Sequence, residues 1–298
     1  MDRIIRTITS DGSLMASAID SSELVYTAQR LHGLTKTSCA ALGRLLTGAS
    51  LMGAMLKEAH ATLTLKIAGD GPLGNLLALA DSKGNVRGYV DHPGVELPLR
   101  SDGKLDVGGA VGHHGRLAVI RDFGTGEPYS GQVELVSGEI AEDLTNYYAT
   151  SEQTPTACAL GVLVDKETGE SMLAGGLLIQ ALPGADEAVL SQLENNLAKL
   201  DSVTTMLAKG FGPEEMCRCT LNGFHVEKLD EFQIDYACNC SKDRFSRVLL
   251  TLGAKELASL PLNDQGMAET VCQYCNRKYY FSKDELDVLA KRSQKKDK

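Results

Sequence analysis

Six of the eight cysteines lie as close pairs between positions 217 and 275 of the 298-residue chain. Thiolates are good zinc ligands, and two turns that each present two thiolates can surround one tetrahedral ion. A Cys-x-Cys pair and a Cys-x-x-Cys pair, separated by the 31 residues 241–271, have the spacing of such a site. The sequence therefore predicts one zinc ion per chain, bound by Cys238, Cys240, Cys272 and Cys275.

A zinc site closed by four cysteines has no ligand position for water or substrate, so it is structural or redox-regulatory rather than catalytic. A zinc ribbon that only stabilises its domain and a redox switch both fit this spacing. A tail of about 60 residues has a core worth roughly 3–5 kcal/mol, whereas structural zinc supplies about 10–16 kcal/mol. Oxidants attack the same thiolates that bind zinc, so disulfide formation would remove the ligands and unfold the tail.

The remaining close pair, Cys217 and Cys219, is an additional Cys-x-Cys motif. It could supply alternative ligands, form a second redox element or consist of solvent-exposed thiols. We expect it to lie outside the zinc site, although six clustered cysteines allow 15 disulfide pairings in principle.

Three other motifs are better explained by structure than by chemistry. Residues 69–74 (GDGPLG) match a dinucleotide fingerprint, but we expect a strand to follow them instead of the required helix. His113 and His114 are adjacent and point apart, which favours loop residues, and Cys39 and Cys158 have apolar neighbours, where cysteine acts as a small hydrophobe. Because the sequence contains neither a catalytic triad signature nor a GxxxxGK loop, we expect no enzyme activity and no ATP hydrolysis.

The segments that precede the cysteine-rich tail predict an α+β fold. Short alternating runs predict consecutive hairpins and hence a mainly antiparallel sheet, and three segments with helical periodicity would pack against it. The expected strands are residues 3–9, 13–18, 63–67, 76–80, 86–90, 157–164 and 172–182. The expected helices are residues 21–32, 36–59 and 139–150.

A helical and acidic segment separates this region from the tail. Apolar residues spaced by three or four predict an amphipathic helix over residues 186–209, and residues 184–235 contain ten acidic and four basic residues. Ser282 and Glu285 form a capping box for a last helix, which we expect to fray into a disordered basic tail over 291–298. The predicted organisation is an N-terminal α+β domain, a helical linker and a small C-terminal zinc-binding domain, covering 1–182, 183–231 and 232–298.

The composition is typical of a globular protein, with 43% hydrophobic and 23% charged residues. The net charge of −9 disfavours nucleic acid and anionic membranes as partners. Residues 38–56 are apolar, but Arg44 and several glycines favour a buried helix over a membrane span. The first residues contain no apolar run of signal-peptide length, so we expect a cytoplasmic protein that binds no membrane.

Together with the cysteine tail, three segments closely resemble the redox-regulated heat shock protein 33 chaperones. They are IAGDGPLGNLLALADSKGNVRGYV (67–90), GQVELVSGEIAEDLTNYYATSEQTP (131–155) and GGLLIQALPGADE (175–187). The resemblance extends over nearly the whole chain, and its motifs are specific in order and spacing. It implies the three-part organisation given above, with a metastable linker.

The resemblance also implies a stress-response holdase that protects unfolding client proteins from aggregation without ATP. Such a chaperone is inactive when reduced and zinc-bound. Disulfide formation, zinc release and unfolding of the C-terminal domain activate it as a homodimer, with residues 1–182 binding clients and dimerising. Cys238, Cys240, Cys272 and Cys275 match the family's zinc ligands, which pair with their near neighbours as redox-active disulfides when oxidised. ATP-dependent refolding chaperones would act downstream.

Two other functions compete with this interpretation. A zinc-ribbon module that binds nucleic acid or protein without redox switching is disfavoured by the net charge of −9 and by the lack of a basic stripe. A thiol oxidoreductase would place Cys-x-x-Cys at a helix N-terminus after an early strand. Cys272 is instead expected between two strands near the end of the chain.

Overall fold

The computed structural model describes residues 1–293 and divides into two compact units, Met1–Ala237 and the residues from Cys238 onward. Both units are mixed α and β structure with antiparallel sheets, which confirms the predicted α+β class. The strands of the first unit are β1 (Arg3–Thr9), β2 (Leu14–Asp20), β3 (Thr62–Gly69), β4 (Asn75–Asp81), β5 (Val86–Val90), β6 (Gly115–Asp122), β7 (Tyr129–Glu134), β8 (Thr156–Val164), β9 (Ser171–Ala181) and β10 (Val226–Gln233). Its helices are α1 (Ser22–His32), α2 (Lys36–Gly53), α3 (Val107–Val111), α4 (Ala141–Thr150), α5 (Glu187–Leu197), α6 (Val203–Ala208) and α7 (Pro213–Thr220).

The ten strands of the first unit form two five-stranded antiparallel sheets. The first sheet has the order β10-β1-β2-β9-β8 and the second has the order β5-β4-β3-β6-β7. The predicted first hairpin is confirmed, with register from Arg3 opposite Asp20 to Ile8 opposite Met15. Gly12 lies in its turn with φ 72°, a conformation that glycine adopts without steric penalty. Strands β6 and β7 were not expected from the sequence.

Helix α2 lies between the two sheets and contacts strands of both. Every residue of α2 is buried except Lys36 and Arg44, so the predicted buried helix is confirmed. Its small residues allow close packing, since a Cβ atom added at Gly43 would lie 2.8 Å from a methyl carbon of Val25. The helix ends at Gly53, earlier than expected. Within residues 1–293, no helix has both the length and the hydropathy of a membrane span.

Helices α5, α6 and α7 form a layer on the face of the first sheet opposite α2. Their apolar side chains share one hydrophobic cluster with β2 and β9, in which Leu193, Met206 and Met216 are buried. The single helix expected over residues 186–209 is two helices, because Ser202 caps the start of α6 by accepting a hydrogen bond from Thr205 N at 3.2 Å. Strand β10 then returns to pair with β1, so the first compact unit extends to Ala237.

The second unit is built on a hairpin with three helices. Its elements are α8 (Lys242–Leu249), α9 (Ala254–Ala258), β11 (Met267–Val271), β12 (Lys278–Ser282) and α10 (Lys283–Ser293). Ser282 and Glu285 form the predicted capping box, with Glu285 Oε2 accepting from Ser282 N at 2.9 Å and Ser282 Oγ accepting from Glu285 N at 3.3 Å. Helix α10 includes residues 291–293 of the expected disordered tail, and residues 294–298 lie outside the described part of the chain.

Candidate metal centre

Two turns of the second unit bring four thiols together. Cys238 and Cys240 precede α8, which begins after the N-cap Ser241, and Cys272 and Cys275 lie in the turn that joins β11 to β12. This turn is closed by backbone hydrogen bonds from Cys275 N and Asn276 N to Cys272 O, at 3.3 and 2.8 Å. The backbone thus folds the two thiols of the Cys-x-x-Cys motif toward the same side.

The four Sγ atoms lie within 4.8 Å of one another. Cys240 Sγ lies 3.4 Å from Cys275 Sγ, and Cys238 Sγ lies 3.7 Å from Cys272 Sγ. In a tetrahedral site with Zn–S bonds of about 2.3 Å, neighbouring sulfurs are about 3.8 Å apart. The four predicted ligands therefore form a cluster that could hold a metal ion, and the spacing of their thiols fits zinc.

Hydrogen bonds favour ionisation of one thiol in this cluster. Burial acts to raise the pKa of Cys240, but a 3.1 Å hydrogen bond from Tyr279 Oη and bonds from the other three thiols outweigh it and lower the pKa to about 7. Burial, together with donation toward Cys240, raises the pKa values of Cys238 and Cys275. Four adjacent sulfurs cannot all carry negative charge unless a cation compensates for their repulsion, which a divalent metal ion would do.

Tyr279 is a site residue that the sequence analysis missed. It lies on β12, and its ring packs on Phe245 of α8 with a centroid distance of 5.0 Å. This contact connects the two ligand turns through aromatic packing. An aromatic residue four positions after Cys275 is a weak signal by itself, since alternating apolar residues are usual in any strand.

The core that supports the cluster is small. Its buried apolar members within the described part of the unit are Leu249, Leu257, Ala268, Phe281, Leu286 and Leu289. A 2.6 Å ion pair between Lys242 and Glu285 adds little, because both side chains are nearly half exposed. A core of this size contributes only a few kcal/mol, so bound metal would supply much of the unit's stability.

The cysteines of the first unit have a different environment. Cys39, Cys158 and Cys217 are surrounded by apolar side chains, and burial raises the pKa of each thiol to about 12. The expectation that Cys39 and Cys158 act as small hydrophobes is confirmed. Cys217 and Cys219 lie on helix α7, where residues two apart point to different sides, and Cys217 is fully buried against the first sheet. This pair therefore cannot present two thiols to one ion while α7 is helical.

The remaining motifs have structural roles. Residues 69–74 connect β3 to β4, so the expected strand connection is confirmed and no helix follows to bind a pyrophosphate. A Cβ atom at Gly71 would lie 2.4 Å from Ala110 O, which explains the glycine by close backbone packing. His113 and His114 lie in the loop before β6, as expected, with His113 Nδ1 2.9 Å from Ser137 O.

Comparison with known proteins finds relatives of one kind over nearly the whole chain. A family model described as Hsp33 protein matches residues 2–282. The 33 kDa chaperonin of Acetivibrio thermocellus is 45% identical over 290 residues, which cover 97% of each chain, and that of Agathobacter rectalis is 47% identical over 288 residues, 97% of this chain and 99% of the relative. The crystal structure of the 33 kDa chaperonin (heat shock protein 33 homolog) from Thermotoga maritima superposes with a TM-score of 0.87 at 37% identity, covering 98% of this chain and 99% of that one. The similarity spans both compact units.

Proposed function

Because the chain belongs to the Hsp33 family, we propose that it is a redox-regulated, ATP-independent holdase chaperone. In this proposal the reduced, zinc-bound protein is inactive, and oxidation of its cysteines activates it to protect unfolding proteins from aggregation. The protein acts by binding rather than by catalysis. Its site of action is the cytoplasm.

The cluster of four thiols within 4.8 Å, in a unit with a small core, is the observation that carries the proposal. Cys238, Cys240, Cys272 and Cys275 would bind one zinc ion. When bound, zinc would stabilise the thiolates and cross-link the two turns. Each thiolate is both a ligand and a nucleophile toward oxidants, so stability and oxidant sensitivity reside in the same atoms.

Oxidation would convert the four thiols into two disulfides. Each disulfide forms when two thiols lose two protons and two electrons to one molecule of hydrogen peroxide, which is reduced to two molecules of water. All four Sγ atoms are close enough for any pairing to need only local rearrangement, and pairing of near neighbours in sequence follows from the family resemblance. A unit without thiolate ligands retains only its small core, so we expect it to unfold.

The linker of residues 183–231 is the element that would respond to this unfolding. Within α5, Leu193 is the one buried residue, so this helix is held to the first sheet by few contacts. Undocking of the linker would expose its own apolar stripe and the sheet residues beneath it, including Leu177 and Ile179. Such a surface would bind unfolded clients or a second subunit.

The proposal assigns roles to the three parts named from the sequence. Residues 1–182 bind clients and dimerise, residues 183–231 form the metastable linker, and residues 232–298 form the redox switch. The active form is a homodimer, and ATP-dependent refolding chaperones receive the clients. The inward packing of α5, α6 and α7 on the sheet supports a linker that covers a binding surface.

Light scattering of a chemically denatured test enzyme, diluted into buffer without ATP, tests this function. The reduced, zinc-loaded protein should leave aggregation unchanged, and the peroxide-treated protein should suppress it at stoichiometric concentration. Addition of dithiothreitol and zinc should reverse the activation. Equal suppression by the two forms would contradict redox control, and no suppression by either form would contradict the holdase function.

A further inference from the structure

Strand β8 forms an edge of the first sheet that α4 covers in part, and it has no charged residue along its nine positions (TACALGVLV). The outer strands β5, β7 and β10 and both strands of the β11–β12 hairpin each carry at least one charged residue. Charges on edge strands prevent unwanted pairing with other chains. Among the edge strands in residues 1–293, β8 alone lacks this protection, so its sequence is suited to accepting another strand.

The backbone of β8 offers hydrogen-bonding groups on its outer side. Cys158 N donates to Thr145 Oγ1 of α4 at 3.3 Å, so this N–H group points away from β9. In an antiparallel strand alternate residues direct both backbone groups to the same side, so the N–H and C=O groups of Leu160 and Val162 also point outward. These two residues are about 7 Å apart, which is the repeat of an added antiparallel strand.

A cavity of about 620 Å³ adjoins this part of the edge. Its volume is within the range of about 300–1,000 Å³ that is usual for ligand pockets. Residues 160–164 of β8 form one wall, and the opposite wall comes from the loop between β5 and α3, including Leu97, Leu99 and Leu105. The walls are mainly apolar, so the cavity would receive aliphatic side chains of an added strand.

The charged residues that line the cavity are mostly cationic. Lys36, Arg44, Lys104 and Lys166 contribute to the lining, against the single acidic residue Glu96. Asp102 lies 3.7 Å from Lys104 Nζ, and Glu139 lies 2.5 Å from Arg44. Arg100, which pairs with Glu139, adds a further positive charge beside the cavity.

The other lysines have less compensation. Asp165 interacts with Lys36, whereas Lys166 makes no ion pair within residues 1–293. Arg44 Nε is buried without a hydrogen-bond partner among the same residues. Within the described residues, five cations and four carboxylates therefore surround the cavity, and Lys166 supplies the one uncompensated positive charge. This excess charge is complementary to a carboxylate on a ligand.

Helix α6 of the linker closes one end of the cavity. Gly161 of β8 and Gly175 of β9 are opposite each other in the sheet. A Cβ atom added at Gly161 would lie 2.8 Å from Thr204 of α6, and one at Gly175 would lie 2.9 Å from Leu207. The absence of side chains at these two glycines thus lets α6 pack directly on the sheet. Undocking of α6 would extend the cavity along the sheet surface that it covers.

We propose that the β8 edge and its cavity bind an extended aliphatic segment of an unfolded client, flanked by acidic residues, as an added strand. This inference rests on the proposed holdase function and names the client segment that the function requires. Backbone hydrogen bonds are independent of the client's sequence, and the cavity adds a preference for aliphatic side chains with carboxylates beside them. Linker undocking increases the affinity for the client segment, because it removes α6 from Gly161 and Gly175 and enlarges the cavity.

Fluorescence anisotropy with a labelled hexapeptide, alternating valine and leucine between two terminal glutamates, tests this site on the full-length protein. A second peptide has lysines in place of the glutamates, and a third has N-methyl groups on alternate amides. The glutamate peptide should bind about ten-fold more tightly than either of the others, because each lacks one part of the recognition. Oxidised protein should bind it more tightly than reduced protein.

Leu163→Asp on β8 has a matched control on the opposite edge of the same sheet. Leu163 is 38% exposed on β8, and Leu229 is 46% exposed on β10. Leu163→Asp and Lys166→Glu should each weaken binding of the glutamate peptide by about ten-fold, whereas Leu229→Asp should leave it unchanged. Circular dichroism of the variants checks their folding. If Leu163→Asp does not fold, Lys166→Glu still tests the site, because Lys166 makes no ion pair that its replacement would break.

Several outcomes would overturn the site. Equal binding of the N-methylated peptide would exclude strand addition, and tighter binding of the lysine peptide would exclude the charge preference. A wild-type dimer that Leu163→Asp dissociates, without peptide binding, would identify a second copy as the occupant. If oxidised wild type suppresses aggregation and the Leu163→Asp and Lys166→Glu variants do so equally well, only the proposed strand-binding site is wrong. If oxidised wild type does not suppress aggregation, the proposed function itself is wrong.

Discussion

Replacing Leu193 and Leu197 of α5 by aspartate should release the linker helices from the first sheet and leave the four-cysteine cluster intact. Leu193 is 7% exposed and Leu197 is partly buried, and both belong to the hydrophobic cluster between the linker and the sheet. Full burial of a leucine side chain is worth about 1.5–3 kcal/mol. The pair therefore contributes about 4 kcal/mol to docking, before the desolvation of two carboxylates is added.

A change of about 4 kcal/mol shifts the docking equilibrium by roughly a thousand-fold. Under the proposed function, the reduced and zinc-loaded variant should then suppress client aggregation without oxidant. Hydrogen exchange should show loss of protection in residues 187–208, while the zinc content stays at one per chain. The matched control is Ser191→Asp with Asn195→Asp, which adds the same charges with the same spacing on the exposed face of α5.

The reasoning would be refuted by a double variant that stays inactive when reduced and activates normally with peroxide. In that case linker undocking would not be the step that controls activation. A control that is as active as the double variant would also refute it, because negative charge instead of lost packing would then cause the activity.

Three further predictions concern the metal centre and the first unit. Cys272→Ser should abolish stoichiometric zinc binding and remove hydrogen-exchange protection from Cys238 onward. Cys217→Ala and Cys219→Ser should each keep one zinc ion per chain, as measured by elemental analysis. Loss of zinc in either of these two variants would implicate α7 in the site. A strong zinc chelator added to reduced protein should unfold residues 238–293 and leave the first unit's thermal transition in place, which calorimetry would show as loss of one transition only. Burial raises the pKa of Asp2 to about 6, although its carboxylate accepts hydrogen bonds from Leu24 N and Glu23 N. The protonated form of Asp2 therefore stabilises the fold fully below pH 3.8, and this stabilisation is lost as the pH rises through 6. The unfolding free energy of wild type should therefore fall relative to Asp2→Asn by up to about 3 kcal/mol between pH 4 and pH 7, and a difference independent of pH would contradict this.

Features encoded by short-range patterns were predictable from the sequence. The first hairpin, the buried helix α2 and the capping box at Ser282 depend on alternation, helical periodicity and local hydrogen bonding, each of which involves residues close in the chain. The spacing of the two cysteine pairs likewise limits which thiols two neighbouring turns can bring together. The structure places the four predicted cysteines in one cluster, and their binding of zinc stays a prediction.

Other features depend on contacts between residues that are distant in the chain. The break between α5 and α6 follows from the Ser202 cap, which interrupts an apolar periodicity that continues through both helices. Strand β10 pairs with β1, which lies more than 200 positions away in the chain, and this pairing sets the unit boundary at Ala237. No local sequence pattern predicts either feature. The contact of Tyr279 with Cys240 also arises only when the hairpin folds against the first ligand turn.

The sequence by itself determined the α+β class, the four candidate ligands and the family resemblance, because residue type, spacing and periodicity carry this information locally. Only the tertiary structure decided that Cys217 faces the apolar layer under α7, that β8 is an edge of its sheet and that α6 rests on Gly161 and Gly175. The physical reason is that a strand's own residues specify its two faces but not its neighbours. Strand order and packing are set by the free energy of the whole core, in which every element competes for the same apolar surfaces.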